Sequence, residues 1–368
     1  MSMWLIFVLL LVVVLLVSSQ HPSDQFGDAG VQAAVVGGTN AVPGRYPWFA
    51  SLHSLMPGNG IVPSCGGMLI APDVVLTAAH CGGIEYVSIG KHYLNNANGA
   101  EIRKPIAIMS HPQFTMTGMA YDIALVLLDS PSTHKPVKVA SPGMVIPASL
   151  SLLGFGINRP INLNKASREE KMDAFKNRPT RLQEAKLDVR PCKSLLENMK
   201  LKPNDGLICA GRGVSGCLGD SGGPLFIKGN SPNEDIVFGA TSFGNECGMS
   251  LPAAWTSFIS HHSWIMASLR QLDNFRDPSY RRKALMVSIR QVIDGLLVID
   301  TELSNRCRDA FPSLYSFVNK QVLANPVVVG SSTFQSTVQL AVLKWLTQTP
   351  CAQGSLLQKL LRQQVGPS

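Results

Sequence analysis

Charged residues are scarce in this 368-residue sequence: they make up 15% of it, while apolar residues make up 45%. A chain of this composition can bury globular cores, which excludes a mainly disordered protein. Beyond the N-terminal segment, no apolar run is long enough to cross a bilayer, which takes roughly 20 residues. The sequence also lacks an Asn-x-Ser/Thr acceptor with a permitted middle residue, so N-glycosylation is not expected.

The longest apolar run stands at the N-terminus. It extends from Trp4 to Val17 without a charged or polar residue and is followed by Ser18-Ser19. This pattern is typical of a signal peptide. We therefore predict a signal peptide over residues 1–19 and a secreted, extracellular protein with no stable membrane span after cleavage. Because no basic residue precedes the run, an uncleaved signal anchor stays open as the alternative.

Cysteine spacing lacks the paired CxxC pattern of a zinc site. The count is eight, which is even and allows four disulfides in an oxidising compartment. The cysteines are Cys65, Cys81, Cys192, Cys209, Cys217, Cys247, Cys307 and Cys351.

The formal net charge of +8 is carried mainly by residues 159–181 and 271–368. A basic patch can attract nucleic acid, an anionic surface or an acidic partner. We interpret the charge as ordinary solvated surface and expect no nucleic-acid partner. The remainder of the chain is close to neutral.

Short apolar runs separated by Gly, Pro and Asn clusters occupy residues 36–128 and resume at residue 150. Such spacing indicates antiparallel strands in a barrel or sandwich, and four prolines between residues 130 and 148 indicate a linker. The polar, basic segment 157–181 is expected to be an exposed, protease-sensitive surface loop. Beyond residue 272, apolar residues recur at steps of three and four, which predicts helices.

Three local motifs follow one another along the chain. They are Thr77-Ala78-Ala79-His80-Cys81, Asp122-Ile123-Ala124-Leu125 and Gly219-Asp220-Ser221-Gly222-Gly223-Pro224. Taken singly, the histidine could be a buried structural residue, the aspartate a cap and the serine part of a turn. A serine hydroxyl becomes a useful nucleophile when an imidazole accepts its proton and a carboxylate orients that imidazole, so the three together predict nucleophilic catalysis.

With Val35-Val36-Gly37-Gly38 and Ser242-Phe243-Gly244, these motifs closely resemble the chymotrypsin-like serine peptidases over roughly residues 35–272. The resemblance implies an all-β fold of two antiparallel six-stranded β-barrels, about 36–130 and 149–258, with a C-terminal helix near 257–272. It implies a serine endopeptidase that cleaves protein or peptide substrates through an acyl-serine intermediate and has no cofactor. We assign residues 273–368 to an α-helical extension of unknown role and expect it to pack against the barrels. The alternative is a separate role for the extension, such as docking a partner or inhibiting the active site. Protein inhibitors are a further class of expected partner.

The resemblance also implies roles for single residues. His80, Asp122 and Ser221 would be catalytic, and the backbone N–H groups of Gly219 and Ser221 would form the oxyanion hole. The implied disulfides are Cys65–Cys81, Cys192–Cys209 and Cys217–Cys247, which leaves Cys307 and Cys351 for each other. The substrate-binding residues would be Ser215, Ser242, Phe243, Gly244 and Ala253.

Because Ser215 is uncharged, we expect cleavage after Leu, Met, Phe or Tyr, with Ala253 disfavouring the largest rings. Cleavage between Ala34 and Val35 is expected to release residues 20–34 as a propeptide and to free an α-amine that pairs with Asp220. Members of this family are usually cut after Arg or Lys, so Ala34 is a departure that favours an elastase-like activating protease.

No metal is expected. Lys91 stands where the family's calcium loop usually has a glutamate, and a cation there would repel the ion. His261 and His262 are adjacent on a predicted helix and point in different directions, so we interpret them as surface histidines. The alternative to an enzyme is a non-catalytic peptidase homologue that acts as a binding or adaptor protein.

Overall fold

The computed structural model describes residues 36–56, 60–96, 99–202 and 206–281, and isolated positions between 283 and 352. The predicted signal peptide, the propeptide and Val35 lie outside these residues. Two antiparallel β units follow one another along the chain, and a long helix comes after them. Within the described ranges, no helix combines the length and the apolar character that a membrane crossing requires.

The first unit is a twisted sheet of strands rich in Val, Leu and Ile. The strands up to residue 128 are β1 (Thr39–Asn40), β2 (Phe49–Met56), β3 (Gly60–Ala71), β4 (Val74–Thr77), β5 (Ile84–Ile89), β6 (Glu101–Arg103), β7 (Pro105–Ser110) and β8 (Ala124–Leu128). The sheet order is β7-β8-β4-β3-β2-β5-β6, while β1 joins the second unit. Every residue of β4 and β8 is buried, so these two strands form the centre of the first core.

The second unit is a closed barrel. Its part of the chain contains β9 (Lys138–Val139), β10 (Ser149–Gly154), β11 (Ile161–Asn162), β12 (Gln183–Arg190), β13 (Leu207–Ala210), β14 (Pro224–Ile227), β15 (Ile236–Phe243), β16 (Glu246–Cys247) and β17 (Ala253–Ser257). The order β12-β10-β14-β15-β17-β13 closes because β13 also pairs with β12. Closure removes the free edges of the sheet. The predicted double-barrel fold is thus confirmed; β9 lies between the two predicted barrel ranges, and β1 pairs with the second barrel although it lies in the first range.

Three α-helices are described in full. They are α1 (Arg168–Lys176), α2 (Lys193–Met199) and α3 (Phe258–Phe275). The Ser257 side chain caps α3 by accepting a hydrogen bond from the Ser260 backbone N–H. The buried face of α3 repeats at steps of three and four: Phe258, His261, Ile265, Ser268, Leu272 and Phe275. Just beyond the helix, Arg276 forms a two-pronged ion pair with Asp73, which fixes the helix end to the first barrel.

The segment 157–181 differs from the exposed loop that the sequence predicted. It contains β11 and α1, and it buries Ala174 and Arg178. The reason is a capping box at the start of α1: the Ser167 hydroxyl accepts from the Glu170 N–H while the Glu170 carboxylate accepts from the Ser167 N–H. The sequence contains this S-x-x-E pattern, but the low apolar content of the segment favours an exposed loop over a helix.

Four disulfides are present: Cys65–Cys81, Cys192–Cys209 and Cys217–Cys247, which the resemblance implied, and Cys307–Cys351, the pair that was left over. The last of them lies in the C-terminal extension. Most of the predicted helical stripes of the extension fall outside the described residues. Where it is described, the extension is not wholly helical, because β18 (Val327–Val329) pairs in parallel with β7. Three consecutive valines favour a strand, and the edge of β7 that does not pair with β8 is available to pair with this strand.

Candidate active site

His80 and Asp122 are brought together by the pairing of two central strands. Thr77 at the end of β4 is opposite Ala124 at the start of β8, so the residues that flank these ends emerge at the same edge of the sheet. The His80 Nδ1 atom lies 2.7 Å from Asp122 Oδ2, and the His80 backbone N–H donates to Oδ1 at 2.9 Å. The histidine ring is thereby oriented with its Nε2 atom directed away from the carboxylate.

A third donor reaches the same carboxylate from the second barrel. The Ser242 hydroxyl donates to Asp122 Oδ2 at 2.5 Å across 120 positions of sequence. Asp122 is completely buried, and these three donors compensate for the water that its carboxylate has lost. The sequence placed Ser242 among substrate-binding residues, but its side chain is committed to Asp122. No local sequence pattern could reveal a contact of such long range.

Ser221 lies in the tight loop before β14, and a network of backbone contacts places this loop beside His80. The Gly66 N–H donates to the Ser221 carbonyl oxygen at 2.7 Å, and Cys65, the neighbour of Gly66, is disulfide-bonded to Cys81. Among the described residues, the Ser221 hydroxyl forms no hydrogen bond with the His80 ring. In unliganded sites such contacts are often long and tighten only when substrate binds.

The loop that carries Ser221 turns through backbone conformations that favour glycine. Gly219 has a φ of 100° and Gly222 a φ of 71°. These conformations direct the chain sharply around Ser221, as an exposed nucleophile on a tight turn requires. Gly219 and Ser221 therefore lie on one turn, and their role as oxyanion donors stays a prediction.

Asp220 points away from the Ser221 hydroxyl and into the protein. It is wholly buried, and its carboxylate accepts from the backbone N–H groups of Gly156 at 2.8 Å and Cys217 at 2.9 Å. A Cβ atom at Gly154 or Gly156 would overlap this carboxylate, which explains both glycines. Burial raises the pKa of Asp220 to about 6, against the lowering effect of the two N–H donors and of Arg178.

Val35, the predicted activation residue, lies outside the described residues, but its neighbour Val36 is described. Val36 is buried, forms a bridge with Ser215, and packs in one cluster with Cys217 and Ile157. Ile157 directly follows Gly156, which is a hydrogen-bond partner of Asp220. The chain therefore enters the molecule close to the Asp220 pocket.

The predicted specificity residues lie near one another beside this loop. Ser215 is fully buried; its hydroxyl donates to the Gly216 carbonyl oxygen at 3.0 Å and accepts from the Gly248 N–H at 2.7 Å. A Cβ atom added at Gly244 would lie 3.3 Å from the Ala253 methyl group. Gly244 and Ala253 are therefore direct neighbours, and a side chain at position 244 would contact the Ala253 methyl group.

A groove of roughly 860 Å³ extends outward from Phe243 and is lined by ring-bearing side chains, among them His111, Tyr121, His261 and Trp264. His261 is not the surface histidine that the sequence predicted. It is buried, with its Nδ1 atom 2.8 Å from the Ser257 carbonyl oxygen. Its helix α3 packs against the barrels on that face, which the sequence pattern did not indicate.

One grouping among the described residues has the composition of a metal site: Cys65, His80 and Cys81. Both sulfurs are joined in a disulfide, so they cannot act as thiolate ligands. Lys91 is buried, its amine donates to the Asn96 carbonyl oxygen at 3.2 Å, and burial lowers its pKa. Neither arrangement provides the oxygen-rich environment that calcium prefers.

Comparison with known proteins agrees with this geometry. The family model described as Trypsin matches residues 35–265, and residues beyond 265 lie outside the match. The chain is 33% identical over 241 residues to glucanase inhibitor protein 3 of Phytophthora infestans, covering 63% of this chain and 86% of that one. It is 30% identical to phenoloxidase-activating factor 3 of Holotrichia diomphalia, covering 64% and 72%. It is 31% identical to serine protease 56 of Homo sapiens, covering 67% and 40%.

Proposed function

The chain belongs to the trypsin family, and from this premise we propose that it is a secreted serine endopeptidase whose catalytic triad is His80, Asp122 and Ser221. The observation that carries the proposal is the 2.7 Å contact between His80 Nδ1 and the buried Asp122 carboxylate. This contact fixes the imidazole tautomer with Nε2 as the proton acceptor. A histidine with a purely structural role does not require a buried carboxylate that is itself held by three hydrogen-bond donors.

In the acylation step, Ser221 Oγ attacks the carbonyl carbon of the scissile peptide bond while His80 Nε2 accepts the hydroxyl proton. The carbonyl oxygen becomes negatively charged and accepts hydrogen bonds from the Gly219 and Ser221 N–H groups. The C–N bond then breaks as His80 donates its proton to the departing amine. The acyl group remains esterified to Ser221.

In the deacylation step, His80 accepts a proton from a water molecule as the water oxygen attacks the ester carbon. The second tetrahedral intermediate collapses, the proton returns to Ser221 Oγ, and the carboxylic acid product leaves. Asp122 stays ionised throughout and stabilises the imidazolium. Ser242 supports this role by holding Asp122 in place.

The test replaces Ser221 and His80 with alanine in the processed protein. We expect each variant to lose hydrolysis of a peptide library by about three orders of magnitude or more, because triad members act as a unit. The control is Ser141→Ala at an exposed position, and circular dichroism checks that all variants fold. Near-normal hydrolysis by folded Ser221→Ala protein would remove the proposed mechanism.

A non-catalytic binding protein is the second candidate, favoured by the relative that is named a glucanase inhibitor. A fluorophosphonate probe distinguishes the two candidates, because the probe bonds covalently only to an activated serine. We expect mass spectrometry to find the adduct on Ser221, and His80→Ala to prevent it. An unlabelled, folded, processed protein would favour the binding role.

Substrate class and localisation complete the proposal. A specificity pocket with uncharged Ser215 at its base and Gly244 and Ala253 on its walls favours cleavage after uncharged apolar residues. The groove beyond Phe243 offers room for preceding residues of a peptide. Four disulfides are typical of proteins in oxidising compartments. Secretion with signal cleavage near Ser19 is tested by expression in a secretory host and sequencing of the protein found in the medium.

A further inference from the structure

Arg178 is buried although it belongs to the basic segment 157–181. Its residue exposure is 7%, and its guanidinium carbon lies 3.5 Å from the centre of the Phe175 ring. One terminal nitrogen donates to the Pro63 carbonyl oxygen at 2.6 Å, whereas Nε is buried without a hydrogen-bond partner. Among the described residues, no carboxylate lies within ion-pair distance of this guanidinium. A buried cation of this kind calls for a compensating negative charge.

Asp220 is the carboxylate whose charge acts on this guanidinium. Burial lowers the pKa of Arg178 to about 10, and the negative charge of Asp220 opposes that lowering. Burial raises the pKa of Asp220 to about 6, and the positive charge of Arg178 opposes that rise. The Phe175 ring links the two sites: one of its edge carbons lies 3.3 Å from the position of a Cβ at Gly219. Phe175 also packs against the cluster that contains Val36 and Cys217.

We propose that Arg178 is a positioning residue that holds the Gly219–Asp220 turn in its active conformation through Phe175 and through its buried charge. The proposal rests on the proposed peptidase function. Asp220 then has two cations: the fixed guanidinium of Arg178 and the α-amine that cleavage before Val35 releases. The uncut precursor keeps a residual activity, and Arg178 sets its size.

The groups that titrate around this site are few. Asp220 faces Arg178 within the protein and the expected Val35 amine from the N-terminal side. Arg178 also faces His53, which is further influenced by Lys91. Burial lowers the pKa of His53 to about 3, so that this ring is neutral from pH 5 upward. Between pH 5 and 9 the titrating groups at the turn are therefore Asp220 and the amine.

The first experiment compares Arg178→Gln, Arg178→Lys and the exposed control Arg168→Gln in two forms. One form is held uncut by Ala34→Pro, and the other begins at Val35. We expect Arg178→Gln to lower kcat/KM of the uncut form by about tenfold and that of the cut form by less than about threefold, because the amine compensates only in the latter. Arg178→Lys should retain part of the activity and Arg168→Gln all of it. Equal losses in both forms would reduce Arg178 to a general structural residue and overturn the proposal.

The second experiment does not depend on catalysis. Thermal unfolding is measured for Arg178→Gln, Asp220→Asn and the double variant, all uncut and all carrying Ser221→Ala, at pH 4 and pH 7. Coupling between positions 178 and 220 should be present at pH 7 and shrink at pH 4, where Asp220 is protonated. Coupling that is zero at both pH values overturns the Arg178 proposal. If no protein of the first experiment hydrolyses substrate while the coupling between positions 178 and 220 is present, the proposed peptidase function is overturned instead.

Discussion

Asp122 depends on Ser242, a residue from the other barrel. Replacing Ser242 with alanine removes one of three donors and leaves a buried carboxylate less well fixed. Hydrogen bonds to charged groups contribute about 1.5–3 kcal/mol, so we expect kcat to fall roughly 10- to 100-fold while KM changes little. Steady-state kinetics on a peptide substrate measures both values, with Ser141→Ala as the control. Unchanged kcat would show that the Ser242 hydroxyl is dispensable.

We propose that Ala253 governs how wide a side chain the specificity pocket accepts. Removing its methyl group in Ala253→Gly should increase kcat/KM for Phe and Tyr relative to Leu by about tenfold, because one methylene in such a pocket contributes about 1–3 kcal/mol. Gly244→Val, which fills the facing wall, should abolish cleavage after rings. A peptide library measures both outcomes. A strong preference for Arg or Lys in any of these proteins would contradict the uncharged pocket.

The helix α1 illustrates how one element positions the site. Its Ser167 cap satisfies a backbone N–H that would otherwise lack a partner, and loss of such a cap costs about 1 kcal/mol. We expect Ser167→Ala to lower the free energy of unfolding by that amount and to speed proteolytic cleavage within 157–181. Urea denaturation and limited proteolysis measure the two effects, with exposed Thr180→Ala as the control. Identical behaviour of the two variants would show that the capping box contributes nothing to the segment.

Some elements of the fold could be predicted from local sequence and others could not. Runs such as Val74–Thr77 and Ala124–Leu128 are short, apolar and bounded by turns, so their strand character was evident. The charge of segment 157–181 predicts full exposure, and this prediction is wrong because Phe175 and Arg178 pack inward. The contacts of Ser242 with Asp122 and of Arg178 with the Asp220 pocket join distant parts of the chain. Such contacts form only when the chain folds, and no periodic pattern in the sequence indicates them.

At the scale of the whole molecule, Asp235 ties the two barrels together. It is fully buried, and its carboxylate accepts from Arg45 at 2.7 and 2.8 Å, from the Trp48 ring N–H at 3.0 Å and from the Gly229 N–H at 2.9 Å. Arg45 and Trp48 lead into β2 of the first barrel, whereas Asp235 leads into β15 of the second. The contact therefore fixes the cleft between the barrels, where the candidate triad lies.

Breaking this contact should be costly. Asp235→Ala leaves the Arg45 charge without its partner, and removal of one member of a buried pair costs about 3–5 kcal/mol. The matched control is Glu197→Ala, which breaks an exposed ion pair with Lys193 and should cost less than about 1 kcal/mol. Urea denaturation measures both. A cost for Asp235→Ala as small as that of the control would show that the barrels are held together without it.

The proposed activation by cleavage before Val35 would couple the N-terminus to the catalytic loop. Because burial raises the folded pKa of Asp220 to about 6, the uncut protein binds a proton there more tightly than the unfolded chain does. The contribution of Asp220 to the stability of the uncut protein is therefore greatest below pH 4. This contribution declines as pH rises towards 6 and Asp220 ionises. In the cut protein, the Val35 amine should pair with the carboxylate and remove this loss.

The contribution of the amine changes with pH in the same direction as that of Asp220, but over a higher pH range. Its unperturbed pKa is about 7.7–8.0, and pairing should raise the folded value, so its contribution is complete below that range and is lost as pH rises through the raised pKa. We expect protein that begins at Val35 to lose activity reversibly in alkaline solution, down to the residual level of the uncut form, since both then lack a charged amine. N-terminal sequencing of active protein and a pH profile of kcat/KM up to pH 10.5 measure this. Full activity in protein that still carries Ala33-Ala34 would refute activation by cleavage at this bond.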